Sequence, residues 1–174
     1  MTLSRRSLAA LPLALAGFDA AAQSTWYAVR GADHSFIVDM PGEPTYKVID
    51  TRSPGGTAFP YHSYSLDSGG MAFVAQTALY PADVDVRQPR RNLQSALDDR
   101  AERLAGGKWS SVQWRDVQGA PAVESVGAVA GGRLLRQLVL LKGRRYVSLA
   151  CLGSADAVRG PAAERFFGSL RLVS

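Results

Sequence analysis

The chain has 174 residues, a net charge of +5 and a single cysteine. One cysteine forbids an intramolecular disulfide, so the fold has to rest on packing; a chain of this size buries about 70% of its unfolded surface, enough for one core. The charge is modest and both signs are interspersed, which falls short of the concentrated basic surface that nucleic acid demands.

Residues 1–22 read as an export address rather than as part of a fold. Ser4-Arg5-Arg6-Ser7-Leu8 is a short basic head, 8–17 an apolar core of signal-peptide length, and Ala20-Ala21-Ala22 a small-residue cleavage site that makes Gln23 the first mature residue. A bilayer span needs about 20 apolar residues, and this run is shorter and interrupted by Pro12. Leu15-Ala16-Gly17 has the look of a lipoprotein box, but Phe18 stands where a lipid-bearing cysteine would be required. Arg5-Arg6 resembles a twin-arginine signal, although the preferred Phe and the downstream Lys are missing, so the Sec route stays open. The expectation is a periplasmic or secreted protein, cleaved near Ala22, whose single domain spans 23–174 without a membrane span.

Along that domain, 26–29 and 35–40 read as two short strands around the turn Gly31-Ala32-Asp33-His34, and Pro41-Gly42-Glu43-Pro44 is a hard stop. A third strand is expected at 46–50. Segments 57–66 and 71–80 form a hairpin pair across Asp67-Ser68-Gly69-Gly70, with aromatic and β-branched residues at strand spacing. The period then changes. Leu93, Leu97, Ala101 and Leu104 fall on one helical stripe, which predicts a helix over 90–105 closed by Gly106-Gly107. Strands follow at 109–117, 122–130, 133–141 and 144–152, the last three joined at Gly131-Gly132 and Lys142-Gly143. Leu138-Val139-Leu140-Leu141 is apolar on both faces, so its strand should be central and covered on both sides. A short helix over 161–167 opens on Pro161, where a missing amide costs least, and 169–173 closes the chain as a strand.

Hairpin-joined strands with helices inserted late imply an α+β fold, a largely antiparallel sheet with one long and one short helix packed on it. Phe36-Ile37-Val38-Asp39-Met40-Pro41-Gly42-Glu43-Pro44 resembles the opening of small exported bacterial domains of the PsbP-like superfamily, and Arg165-Phe166-Phe167-Gly168-Ser169-Leu170-Arg171-Leu172 resembles their closing segment. The order of elements between them is similar too. The resemblance implies the PsbP-like α/β sandwich and an accessory or binding role, and it carries over no catalytic residue and no cofactor.

The residues that bear chemistry are few. His34, His62 and Cys151 lie far apart, so no metal site is expected. Cys151, inside an apolar strand, reads as a buried, inert thiol. Asp98 and Asp99 point about 100° apart on a helix, poor geometry for shared acid–base work. Asp83 and Asp85 alternate in a loop and offer too few oxygens for calcium. Gly106-Gly107-Lys108 ends a helix where a phosphate loop would start one.

Two candidates remain. Tyr61, His62 and Tyr64 alternate along one strand and make the best ligand-site reading, with His62 and Tyr64 on one face and Tyr61 on the other. Lys142, Arg144 and Arg145 cluster at a hairpin tip, suited to an anionic envelope surface at about 1 kcal/mol per charge. Three functions are expected in order: a non-catalytic accessory domain binding a protein or small ligand, a periplasmic hydrolase using His62, and a protein docking on anionic surfaces through 142–145.

Overall fold

The computed structural model describes residues 25–173; the export-signal reading of 1–22 lies outside the described residues. In chain order the elements are β1 (Tyr27–Arg30), β2 (Phe36–Met40), β3 (Thr45–Arg52), β4 (Ala58–Ser68), β5 (Met71–Leu79), α1 (Pro89–Ala101), β6 (Ser111–Val117), β7 (Ala120–Val129), β8 (Arg133–Lys142), β9 (Arg145–Gly153), α2 (Pro161–Gly168) and β10 (Arg171–Leu172). The strands form two sheets, every pairing antiparallel. Seven run in the order β3-β4-β5-β9-β8-β7-β6, and three in the order β1-β2-β10.

Side-chain alternation explains the layering. One face of the large sheet carries Phe73, Ala75, Leu138, Leu140, Val147, Leu149 and Cys151. They pack on Phe36, Val38 and Met40 of the small sheet and on Phe166 and Phe167 of α2. The opposite face carries Val123, Val139, Leu141 and Tyr146, which meet Leu93 and Leu97 of α1. Leu138 to Leu141 of β8 are therefore buried between a sheet and a helix, central as their unbroken apolar run implies. Cys151 is buried in the first of these layers, and burial pushes its thiol up to about 12.

The structure differs from the sequence reading in dividing the strands between two sheets rather than one, and otherwise at element ends. Helix α1 stops at Ala101 rather than at residue 105. Beyond it the chain turns away, and the Ala105 amide donates to Ala128 O of β7. The Trp109 indole donates to Leu97 O at 3.0 Å, fastening that turn to the helix. Gly127 makes room for this, since a Cβ there would fall within 3.0 Å of both Leu104 and Trp109. Strand β7 starts at Ala120, two residues early, because Gln118-Gly119 is itself a two-residue hairpin turn with both φ positive. Gln118 then extends over the small sheet, donating to Leu170 O at 2.8 Å and accepting from Leu172 N at 2.9 Å. Its amide acts as an added strand beside β10.

Candidate functional site

The Pro41-Gly42-Glu43-Pro44 stop carries the chain from β2 of the small sheet to β3, the outermost strand of the large one. That crossing leaves a groove of about 450 Å³ between two edge strands. Tyr27, Ala28, Val29 and Arg30 of β1 form one wall, and Glu43, Pro44, Tyr46 and Tyr64 form the other. The volume is within the usual range for binding clefts.

An aromatic series runs from the core out to this groove. Phe36 meets Tyr64 edge to face with ring centroids 6.1 Å apart, and Tyr64 meets Tyr46 at 5.1 Å. Tyr46 in turn lies parallel to His62 at 6.1 Å, and the Tyr46 hydroxyl shares a 2.7 Å hydrogen bond with His62 Nδ1. The β3–β4 register makes this possible: Tyr46 stands opposite Tyr64 and Val48 opposite His62, so all four side chains share one face. Tyr64 is buried, and burial raises its phenol. Tyr27, Tyr46 and Val48 remain exposed. Ser63 and Ser65 point to the other face, so the hydroxyl within hydrogen-bond distance of His62 is that of Tyr46.

Tyr61 is not part of this groove. It belongs to a nest on the opposite face with Phe59, Tyr80 and Tyr146, at centroid distances of 5.6–5.8 Å. Burial raises the Tyr61 phenol strongly and pushes Tyr80 up to about 12. These phenols and the Cys151 thiol hold their protons more tightly in the folded chain than in the unfolded one. Stability is therefore fully present below pH about 9, where unfolded thiols begin to ionise, and is lost as pH rises from there toward about 12. Urea midpoints measured across that interval should fall steadily, and Tyr61→Phe should flatten the fall above pH about 10.

The basic hairpin is more engaged than its sequence implies. Lys142 and Arg145 flank the turn, and Arg144 folds back to donate from Nε to Tyr80 O at 2.8 Å. Arg145 lies 3.3 Å from Asp33. Burial alone would raise the Asp33 carboxyl, but hydrogen bonds from Ser35 and Thr77 and the charge of Arg145 hold it below its ordinary value. His34, next to it, is exposed in the turn with φ 57°. Asp83 and Asp85 serve separate local contacts. Asp83 accepts from Ser53 and Thr57, while Asp85 pairs with Arg87 at 2.7 Å. Among the described residues no cluster of three or more His, Cys, Asp or Glu side chains is arranged to hold a metal ion.

No protein-family model matches the chain, and no curated protein matches it. Among solved structures it is similar to cyanobacterial PsbP (CyanoP) from Synechocystis sp. PCC 6803, with a TM-score of 0.56 over 91% of this chain and 99% of that one, at 11% identity. The fold is PsbP-like. A protein of unknown function from Pseudomonas aeruginosa is similar over 77% of this chain and 86% of its own length, with a TM-score of 0.43 and 12% identity. At such identities the PsbP-like likeness concerns the backbone, and the tyrosine groove is a property of this chain's own side chains. The sequence reading named His62 and Tyr64 and left out Tyr46 and Tyr27, which the structure sets beside them. Tyr46 had a readable signal, since folding the chain back at Ser53-Pro54-Gly55-Gly56 sets residue 46 against residue 64. Tyr27 had none, because it arrives from the other sheet.

Proposed function

We propose that the chain is exported through residues 1–22 and that its PsbP-like domain is a non-catalytic accessory module that binds an extended segment of a partner polypeptide. The observation that carries this reading is the open edge of β3 beside the tyrosine groove. Strand β3 is eight residues long, has a neighbour on one side only and is exposed along nearly its whole length. Its outer edge offers backbone donors and acceptors to an added strand. Tyr46 and Val48, two residues apart on one face, then present apolar surface to alternate side chains of the incoming segment. Lys47, Asp50 and Arg52 keep that edge from pairing indiscriminately.

Export is tested by the intact mass of protein recovered from the periplasm, which should begin at Gln23. Binding is tested with a photo-crosslinking residue at Val48 in the exporting cell, with Asp99 on the far helix as the control position. Val48 should yield a discrete polypeptide adduct that Asp99 does not, and β3 amides should gain hydrogen-exchange protection in the purified complex. Equal labelling at both positions, or no change in β3 exchange, would overturn the reading. Saturable turnover of an ester panel that His62→Ala abolishes would favour the hydrolase instead, with Tyr46 and His62 as the reacting pair. Docking through Lys142, Arg144 and Arg145 would require charge reversal at Arg144 and Arg145 to abolish binding to anionic vesicles.

A further inference from the structure

The tyrosine groove has a direction. Four consecutive residues of β1, Tyr27 to Arg30, border it. Side chains alternate along a strand, so four in a row border one groove only along the strand's backbone edge. That edge is free, because β1 is the outer strand of the small sheet and pairs with β2 alone. A segment added at β3 therefore meets β1 along its other flank. Both strands run the same way here. Strand β1 leads from the Met40 end of β2 toward Phe36, and so does the chain from Glu43 to Tyr46, whose neighbour Tyr64 meets the Phe36 ring. One segment can thus lie antiparallel to both.

The two ends of the groove carry opposite charges. Tyr27 stands opposite Met40, the last residue of β2, which places the Pro41-Gly42-Glu43-Pro44 crossing, and Glu43 with it, at the Tyr27 end. Arg30 stands opposite Ile37 at the other end, three strand positions away or about 10 Å. Both side chains are exposed. Among the described residues neither lies within ion-pair distance of an opposite charge. The carboxylates flanking β1 are already taken: Asp39, opposite Ala28, by Arg165, and Asp33, in the turn after β1, by Arg145. Between the two free charges the walls are aromatic, with Tyr27 and Tyr46 exposed and Tyr64 buried behind them.

We propose that the groove selects a charge pattern in the extended partner segment proposed above, a reading on which this inference rests. The segment carries an acidic residue opposite Arg30, an apolar residue opposite Val29 and a basic residue opposite Tyr27, beside Glu43. Opposite residues share a face, so the apolar side chain turns inward with Val29 toward Tyr64, which belongs to the same core cluster. Antiparallel ladders are the more stable kind, so the acidic residue precedes the basic one, by about three positions. A single exposed ion pair contributes little. Two of opposite sense at a fixed spacing set the direction and register of the bound chain.

The test is an NMR titration of the purified protein with two hexapeptides of one composition, blocked at both ends: Thr-Glu-Ile-Thr-Lys-Thr and Thr-Lys-Ile-Thr-Glu-Thr. The first should bind at least about threefold more tightly, shift amides of β1 and β3, and lose its advantage in roughly 1 M salt. Exchanging the charges on the protein, Arg30→Glu with Glu43→Arg, should reverse the preference. The wild-type comparison decides the matter by itself if that variant does not fold. Equal affinities, a wild-type preference for the second peptide, shifts centred away from β1 and β3, or no shift with either peptide at about 10 mM would overturn the charge pattern. A Val48 adduct obtained alongside any of these results leaves polypeptide binding standing without the pattern; loss of the adduct as well removes both.

Discussion

Phe166→Ala should lower the unfolding free energy by about 3–5 kcal/mol, a large share of the stability of a domain this size. Phe166 is 0% exposed and meets Phe73 of β5 and Phe167 edge to face, both with ring centroids 5.3 Å apart. It is thus a central contact through which α2 holds the large sheet. The helix has eight residues and no side-chain hydrogen bond at its N-cap. A helix that short has no stability of its own in water and exists by virtue of the face it buries. Truncating Phe166 removes that face and leaves a cavity that rigid strands cannot close. A urea titration read by tryptophan fluorescence should show the loss as a lower midpoint, and amides of α2 and β10 should exchange sooner than those of β8. Leu79→Ala, at an exposed position on the same sheet, should change stability by less than about 0.5 kcal/mol. Equal effects of the two substitutions would show that α2 is a passenger rather than part of the core.

Most of this architecture was legible because it is local. Phe36, Val38 and Met40 alternate with half-buried Ile37 and Asp39, and the same period of two marks β5. Pro89 with Leu93 and Leu97 declares α1. The division into two sheets was not legible. Strand β2 pairs with β1 beside it and also with Arg171 and Leu172, far along the chain, and no residue between Phe36 and Met40 states that choice. The same holds for β5 and β9, which are adjacent in the sheet although a helix and three strands separate them in sequence. Gln118-Gly119 escaped notice because hairpin turns with two positive φ values favour Asn-Gly or Asp-Gly. Gln118 is used instead for its length, which lets its amide reach β10.

The candidate sites divide along the same line. Alternation alone places His62 and Tyr64 together and Tyr61 apart. The partners that give them chemical character come from other strands: Tyr46 by hairpin register, Tyr27 by the packing of one sheet on the other. The basic hairpin shows the reverse case, in which a charge cluster apparent in sequence is drawn inward by Asp33 and the Tyr80 carbonyl.

Arg136→Ala should be as damaging as the loss of Phe166, at about 3–5 kcal/mol, for an electrostatic reason. The Arg136 side chain is 13% exposed, and its guanidinium joins four groups, one on β7, one in the turn before α2 and two on α2 itself. It donates to Glu124 of β7 at 2.8 Å, to Glu164 of α2 at 2.5 Å and to Val158 O at 3.2 Å, and lies 4.6 Å from the centre of the Phe167 ring. These partners hold the guanidinium above its ordinary value although burial opposes it. Its charge is therefore constant, and the effect of removing it is a matter of what is left behind. Glu124, 14% exposed, would keep only Arg115 at 3.1 Å. Glu164 is 59% exposed and recovers its hydration, so Glu164→Ala should cost less than about 1 kcal/mol. Arg136→Met keeps the apolar stem packed against Phe167, and it should still be strongly destabilising because Glu124 stays buried beneath it. Removing that charge as well, in Arg136→Met with Glu124→Leu, should recover most of the loss, since two apolar groups can replace a buried ion pair at little net cost. Recovery in the double variant places the penalty in the orphaned carboxylate of Glu124; a double variant as unstable as Arg136→Met would place it in the lost bonds to Val158 and Glu164, and hence in the seating of α2.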